Sequence, residues 1–289
     1  MNAARVKPVK ASRFIAAAFL AASGFIGAAA GTLAADRNKV IAEYDISFNG
    51  FNIGSFRVDS AFSPDQYSMK ADARISVLAG ILFEWHGKTT SSGGMSAGAP
   101  RPEAYSFGYT TSDKRETIDV EFDNNNVKQV AVSPPQREAG GRIPVTRNHM
   151  RNVVDPLSAI VMMTNVGSGN KSGTEVCTRR LPIFDGKARY DLQLSYKKTK
   201  PVETAHGYKG PAYICKVKFR PIAGHRRGDD EANFAANNEG MEIWMIPLRQ
   251  ADLYVPYYVY IPTAAGTASL TSSNIRVDTT GGGQGALLQ

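Results

Sequence analysis

From residue 40 the chain places Val40, Ala42, Tyr44, Ile46 and Phe48 on one face and Ile41, Glu43, Asp45, Ser47 and Asn49 on the other, the period of two that marks a half-buried strand. Asn49-Gly50 follows as a two-residue hairpin signal, because a type I′ turn needs positive φ at both central positions. The return strand carries Ile53, Phe56 and Val58, and its slip of phase at Gly54 predicts a bulge there. Tyr67, Met69, Ala71, Ala73, Ile75 and Val77 then alternate with Ser68, Lys70, Asp72, Arg74 and Ser76 over a length that suits a curved or barrel-like sheet. Leu78 to Trp85 reads as a further strand or bent segment, and Ser91-Ser92-Gly93-Gly94 and Gly98-Ala99-Pro100 as loops.

The pattern repeats downstream. Tyr105, Phe107 and Tyr109 pair in expectation with Ile118, Val120 and Phe122, and Asp123 to Asn126 turns the chain towards Val127, Val130 and Val132. Cys177 is expected to begin a strand ending at Phe184, and Asp185-Gly186 to turn it into Tyr190, Leu192, Leu194 and Tyr196. Tyr213, Cys215, Val217 and Phe219 share the inward face of the next strand, and three more strands lie around Trp244, from Tyr254 to Ile261 and from Ala268 to Val277. One stretch breaks the period of two. In Val153 to Asn165, Asp155 caps a helix, Pro156 takes its first position, and Leu157, Ile160, Val161 and Thr164 make an apolar stripe. About a dozen strands and one helix, without alternating β and α units, predict a mainly β fold: a strongly curved antiparallel sheet forming an open barrel or β-spiral, plugged by one short helix.

The segments outside this pattern are the N-terminus, two polar stretches and the tail. Arg5, Lys7, Lys10 and Arg13 precede a small-residue apolar run to Ala30 and the sequence Gly31-Thr32-Leu33-Ala34-Ala35, the order of a signal peptide cleaved after Ala34. The expected organisation is therefore a signal peptide over 1–34, one β-rich domain over 35–278 and a disordered tail over 279–289. No Cys follows the apolar run, so a lipid anchor on the first mature residue is not expected, and no later segment reaches membrane-spanning length. The expected location is the periplasm, by export, in soluble form. Residues 133–151 form a loop with Arg137, Arg142, Arg147, His149 and Arg151, and 223–240 a polar excursion; each reads as solvated surface, with an anionic headgroup or glycan site as the alternative for the first.

Charge and chemistry narrow the picture further. The formal net charge is +8, from 34 basic and 26 acidic side chains. The four cations of the signal peptide account for half of it, leaving 30 basic against 26 acidic and no basic stripe interleaved with aromatics, so nucleic acid is not an expected partner. Cys177 and Cys215 are the only cysteines, and in an exported chain they are expected to form a disulfide contributing about 4 kcal/mol in the chain-entropy picture. The histidines, His86, His149, His206 and His225, have no metal-ligand spacing, and no nucleophile elbow, zinc-protease, P-loop or dinucleotide motif is present. No catalytic residue, metal or cofactor is expected. Asp155 and Asp185 have local duties as helix cap and turn former. What remains is an aromatic-rich face, Tyr44, Phe48, Tyr67, Tyr190, Tyr196, Tyr213 and Phe219, lining a concave space that is either filled by side chains and the helix or left partly open for an acyl chain or a peptide.

Tyr44-x-Ile46-x-Phe48-x-Gly50 with Gly54, Asp155-Pro156-Leu157-Ser158-Ala159, and Phe184-Asp185-Gly186-Lys187 before a Tyr-x-Leu strand together resemble the exported bacterial family of domain of unknown function 3108, over about Val40 to Val277. The resemblance implies a periplasmic protein with a spiral-like antiparallel sheet, similar in outline to β-spiral envelope-integrity proteins and, more distantly, to the open half-barrels that carry lipoproteins. It assigns no residue a catalytic role. The leading expectation is a non-enzymatic protein of envelope maintenance that binds a hydrophobic ligand, a lipoprotein or another envelope protein. The alternatives are a filled structural module binding a protein or peptidoglycan through its loops, and an enzyme acting on cell-wall or lipid material.

Overall fold

In the computed structural model, residues 38–77, 83–135, 140–164, 169–204, 207–278 and 284–285 are described. The segment 1–34 expected to be a signal peptide, Arg137, His206 and nearly all of the tail lie outside them. The alternating stretches form β1 (Asn38–Phe48), β2 (Phe51–Phe62), β3 (Gln66–Val77), β4 (Phe83–Ser96), β5 (Ala99–Thr111), β6 (Arg115–Asp123) and β7 (Asn126–Ser133). After a connection holding α1 (Pro156–Thr164) and α2 (Gly173–Cys177) come β8 (Arg179–Phe184), β9 (Arg189–Glu203) and β10 (Lys209–Ala223). Then α3 (Asp230–Asn237), β11 (Glu242–Leu248), β12 (Leu253–Thr263) and β13 (Gly266–Asp278) complete the fold, with β14 (Gln284–Gly285) added to β13.

All thirteen long strands form one antiparallel sheet in the order β7-β6-β5-β4-β3-β2-β1-β13-β12-β11-β10-β9-β8. It is two meanders, β1–β7 and β8–β13, joined where the first strand pairs with the last. The two edges, β7 and β8, are consecutive in sequence. They are linked by the helical connection, and no ladder pairs them, so the barrel is open. Its seam is covered by other means. Val153 donates to Asn125 O at 2.8 Å, Val154 bridges Ile183 of β8, and Val153 and Phe184 pack with Tyr105, Ile118, Val120 and Phe122. Lys187, in the β8–β9 turn, pairs with Glu116 of β6.

The turn glycines act as the sequence predicts. Asn49 and Gly50 both have positive φ, and Ile53 is the extra residue of a bulge, since Ile46 faces Gly54 while Ser47 faces Asn52. A Cβ on Gly54 would lie 1.9 Å from Arg74 O, so no other residue fits. Gly186 combines φ of +94° with a place where a Cβ would lie 2.2 Å from Ile118 Cγ2, at the seam itself. Asp185 closes that turn by accepting from the Lys187 and Ala188 amides.

Several expectations are corrected. Ser91 to Gly94 is not a loop but the end of β4, held in the sheet because Ser91 finds buried hydroxyl and carboxylate partners and Gly93 allows β5 to approach closely. Ala99 and Pro100 begin β5; the turn is Ala97-Gly98. Cys177 ends α2 rather than starting a strand. A Ser172–Glu175 capping box starts that extra turn. The polar excursion contains α3, capped by Asp229. The helix α1 is buried on nearly every side rather than on one stripe: Leu157, Ser158, Ala159, Val161, Met163 and Thr164 are all buried, because α1 lies inside the sheet against β4, β5, β8 and β12. Among the described residues no helix is long and apolar enough to cross a membrane.

Candidate functional site: an apolar cavity beside the helix

Strand register builds the inner wall. Tyr44 faces Phe56, which faces Ala73; Ala42 faces Val58, which faces Ala71; Val40 faces Ser60, which faces Met69. On the other side of β1, Ile275 and Val277 face Ala42 and Val40, and Leu270 of β13 faces Val259 of β12. Because the sheet coils, these side chains converge on the C-terminal half of α1, where Ile160, Met163 and Thr164 close the space. A cavity of about 210 Å³ remains. An engineered apolar cavity of ~150 Å³ stays dry and takes up benzene, so this one has room for a larger apolar group.

Its lining offers a ligand no free donor. The three hydroxyls within it are committed: Tyr44 donates to Pro256 O at 2.9 Å, Ser60 to Val40 O at 2.8 Å and Thr164 to Val161 O at 2.8 Å. Burial pushes the Tyr44 phenol above its ordinary value, so it stays neutral. A space whose polar atoms are already satisfied selects for hydrocarbon alone.

The opposite end of α1 is its inverse. Asp155, fully buried, accepts from the Leu157 and Ser158 amides at 2.9 and 3.0 Å through one carboxylate oxygen, and through the other from the hydroxyls of Ser91 at 3.0 Å and Ser158. Tyr67 OH lies 2.6 Å from Ser158 Oγ. This knot ties the first turn of α1 to β3 and β4. Burial raises the Asp155 carboxyl above its ordinary value, opposed by the hydrogen bonds it accepts.

The seven aromatics do not form one wall. Tyr44 lines the cavity; Phe48 is half-buried at the end of β1, away from it, and Tyr67 belongs to the polar knot. Tyr190 and Phe219 pack together at 5.4 Å between ring centres and Tyr213 packs on Tyr254 at 5.9 Å, in the cluster around the disulfide. Tyr196 is exposed and shares with Tyr213 the contact over Gly173 of α2. The reason is the length of the sheet: residues in phase on β1 and on β9 face the same side yet lie far apart around the coil. The true lining, Val58, Met69, Leu253, Val255 and Val259 among it, is mostly aliphatic, with Tyr44, Phe56 and Phe62 as its aromatics. Its signal was the in-phase run on the first three strands and the Ile160 and Thr164 stripe.

The disulfide is formed, Cys177 to Cys215, buried and joining α2 to β10. His86 lies 2.8 Å from Asp72, and His149 accepts from the Thr146 amide. Among the described residues no group of three His, Cys, Asp or Glu could hold a metal ion. The basic loop and the polar excursion meet: Arg142 bridges Arg226 and donates to Gly224 O.

The family described as Protein of unknown function (DUF3108) matches residues 43–272. The chain belongs to that family. The match runs from within β1 to within β13 and so takes in both meanders and the helix between them. No curated protein matches. Among solved structures, a β-barrel-like protein of domain of unknown function DUF1849 from Brucella abortus is similar at 9% identity and a TM-score of 0.49, over 83% of this chain and 98% of that one.

Proposed function

We propose that this protein is a non-enzymatic carrier or sensor that sequesters one hydrocarbon chain, of a lipid or a lipidated protein, in the cavity beside α1, and that it does so in the periplasm in support of the cell envelope. The observation that carries the reading is the cavity itself: about 210 Å³, apolar, with every lining hydroxyl already hydrogen-bonded. Such a lining suits an acyl tail and leaves no group to attack or protonate a substrate. The disulfide and the signal-peptide-like N-terminus support an oxidising, extracytoplasmic setting.

The test is native mass spectrometry of protein purified without detergent from its own periplasm, with extraction and identification of any adduct. A stoichiometric acyl adduct, lost in Ala42→Phe while the melting temperature stays near wild type, is the expected result. A clean mass for wild type, together with no displacement of a fluorescent fatty acid by added lipid, overturns the reading and leaves a structural module that works through its loops.

A further inference from the structure

The outer face of the second meander carries a surface that the cavity does not use. In β10 the side chains opposite the inward Cys215 and Val217 are Lys216, Lys218 and Arg220, and Ser195 of β9 pairs beside Lys216. Further along the same face, Lys198 pairs with Ile214 and Lys200 with Ala212, while Ile214 pairs with Trp244 of β11 and Trp244 with Tyr258 of β12. The register thus lays a cationic strip, Lys198, Lys200, Lys216, Lys218 and Arg220, beside an aromatic strip, Trp244, Tyr258 and Tyr260. The aromatic rings hold one another: Trp244 and Tyr258 meet edge to face at 5.4 Å, Tyr258 and Tyr260 at 6.5 Å, and the Lys200 ammonium lies 5.3 Å above the indole.

Two of the acids nearby are held within the fold. Glu242 is held by Lys197 and by the Trp244 N–H, and Asp191 by Arg180 and Arg189. Among the described residues no carboxylate lies within ion-pairing distance of Lys198, Lys216, Lys218 or Arg220. Between them lies a shallow cleft of about 350 Å³ lined by Ser195, Lys216, Lys218 and Arg220, with Glu239 at its side. Cations outside any ion pair among the described residues, a shallow cleft between them and an amphipathic Trp-Tyr-Tyr strip are the ingredients of an anionic membrane interface.

We infer that the β9–β12 outer face docks on an anionic phospholipid surface, with headgroup phosphates against Lys216, Lys218 and Arg220 and the Trp244–Tyr258–Tyr260 strip at headgroup depth. The aromatic rings argue against a nucleic-acid platform, since they stack on one another and under Lys200 rather than offering free faces to bases. The inference stands whether or not the cavity carries a lipid.

The test is sedimentation with vesicles of phosphatidylcholine alone and of equimolar phosphatidylcholine and phosphatidylglycerol, using the mature protein. Binding is expected only to the anionic vesicles, and it should vanish as salt rises from 0.1 to 1 M, through which the screening length falls from about 10 to about 3 Å. Each lysine near the surface is worth about fivefold in partitioning, so Lys216→Ala/Lys218→Ala should weaken binding about 25-fold. Lys70→Ala/Lys128→Ala, which removes the same charge from exposed sites on β3 and β7, should leave it close to wild type. Equal loss in both double variants reduces the effect to net charge and overturns the docking face. So do equal binding to neutral vesicles, no vesicle binding at low salt, or salt-sensitive capture of a single-stranded oligonucleotide in place of vesicles.

Discussion

The two ends of α1 sit in opposite surroundings a few residues apart. At the N-terminal end a buried carboxylate, two serine hydroxyls, a tyrosine and two backbone amides satisfy one another. At the C-terminal end Ile160, Met163 and Thr164 face an apolar space that side chains leave unfilled. A buried polar network is directional: each donor has one acceptor at one distance, so it fixes where the helix enters the sheet. Hydrocarbon contact is not directional, so the other end can tolerate a void or a guest. The helix is therefore positioned by its polar end, which leaves the packing at the other end free to vary.

The comparison can be broken most sharply at Asp155. Asp155→Ala removes the cap of the first turn and takes from the buried Ser91 and Ser158 hydroxyls their charged acceptor, leaving them only each other and Tyr67, an expected loss of about 3 kcal/mol. In a domain of this size that lowers the melting temperature by roughly 6–12 °C. A loss below about 1 kcal/mol in urea unfolding would mean that the knot is dispensable and that hydrophobic packing alone places α1. At the other end the same measurement should run the opposite way. Ala42→Leu adds methylenes into the cavity, and is expected to be neutral or to stabilise by about 1 kcal/mol, as filling a real void does. Destabilisation by about 2 kcal/mol or more would show a packed wall with no room to fill.

The smallest signal is expected in the pH dependence. Burial raises the native Asp155 pKa above its unfolded value, so between those two values the native state binds the extra proton. Stability from this group is full below the ordinary carboxylate range and falls as pH rises from there through the raised value. Glu43, Asp72 and Glu242 act in the reverse sense, their carboxyls being held below their ordinary values by partners such as Asn274, His86 and Lys197. The difference between wild type and Asp155→Asn, which keeps a cap acceptor without titrating, isolates the first effect. Wild type should lose stability relative to Asp155→Asn as pH rises across that window, and parallel profiles would show an aspartate ionised in both states.

Much of this fold is written in local pattern. Alternation predicts the strands because a pleated half-buried sheet needs one apolar face; Asn49-Gly50 and Asp185-Gly186 predict their turns because few residues accept positive φ; and Asp155-Pro156 predicts a helix start because of what each does to the first turn. The failures occur where a residue's role depends on a distant partner. Ser91-Ser92-Gly93-Gly94 has loop composition but lies in β4, since Ser91 reaches Asp155 across 64 residues and Gly93 admits the neighbouring strand. The α2 turn ends at Cys177, the residue expected to begin a strand.

The sequence alone thus determined the kind of fold, the Asn49-Gly50 and Asp185-Gly186 turns, helix α1, the disulfide pair and the family, since each rests on local periodicity, a conformational requirement or a short motif. Only the tertiary structure decided which in-phase residues meet. The coil of the sheet separates Tyr44 from Tyr190 and Tyr213, brings Met69 and Val255 to one cavity, seats α1 against both meanders, and lays Lys216 and Lys218 on the same outer face as Trp244. Period two says which side of a sheet a residue faces; where that side curves to, and what it encloses, is set by twist summed over thirteen strands and by how the seam between two edges that never pair is covered.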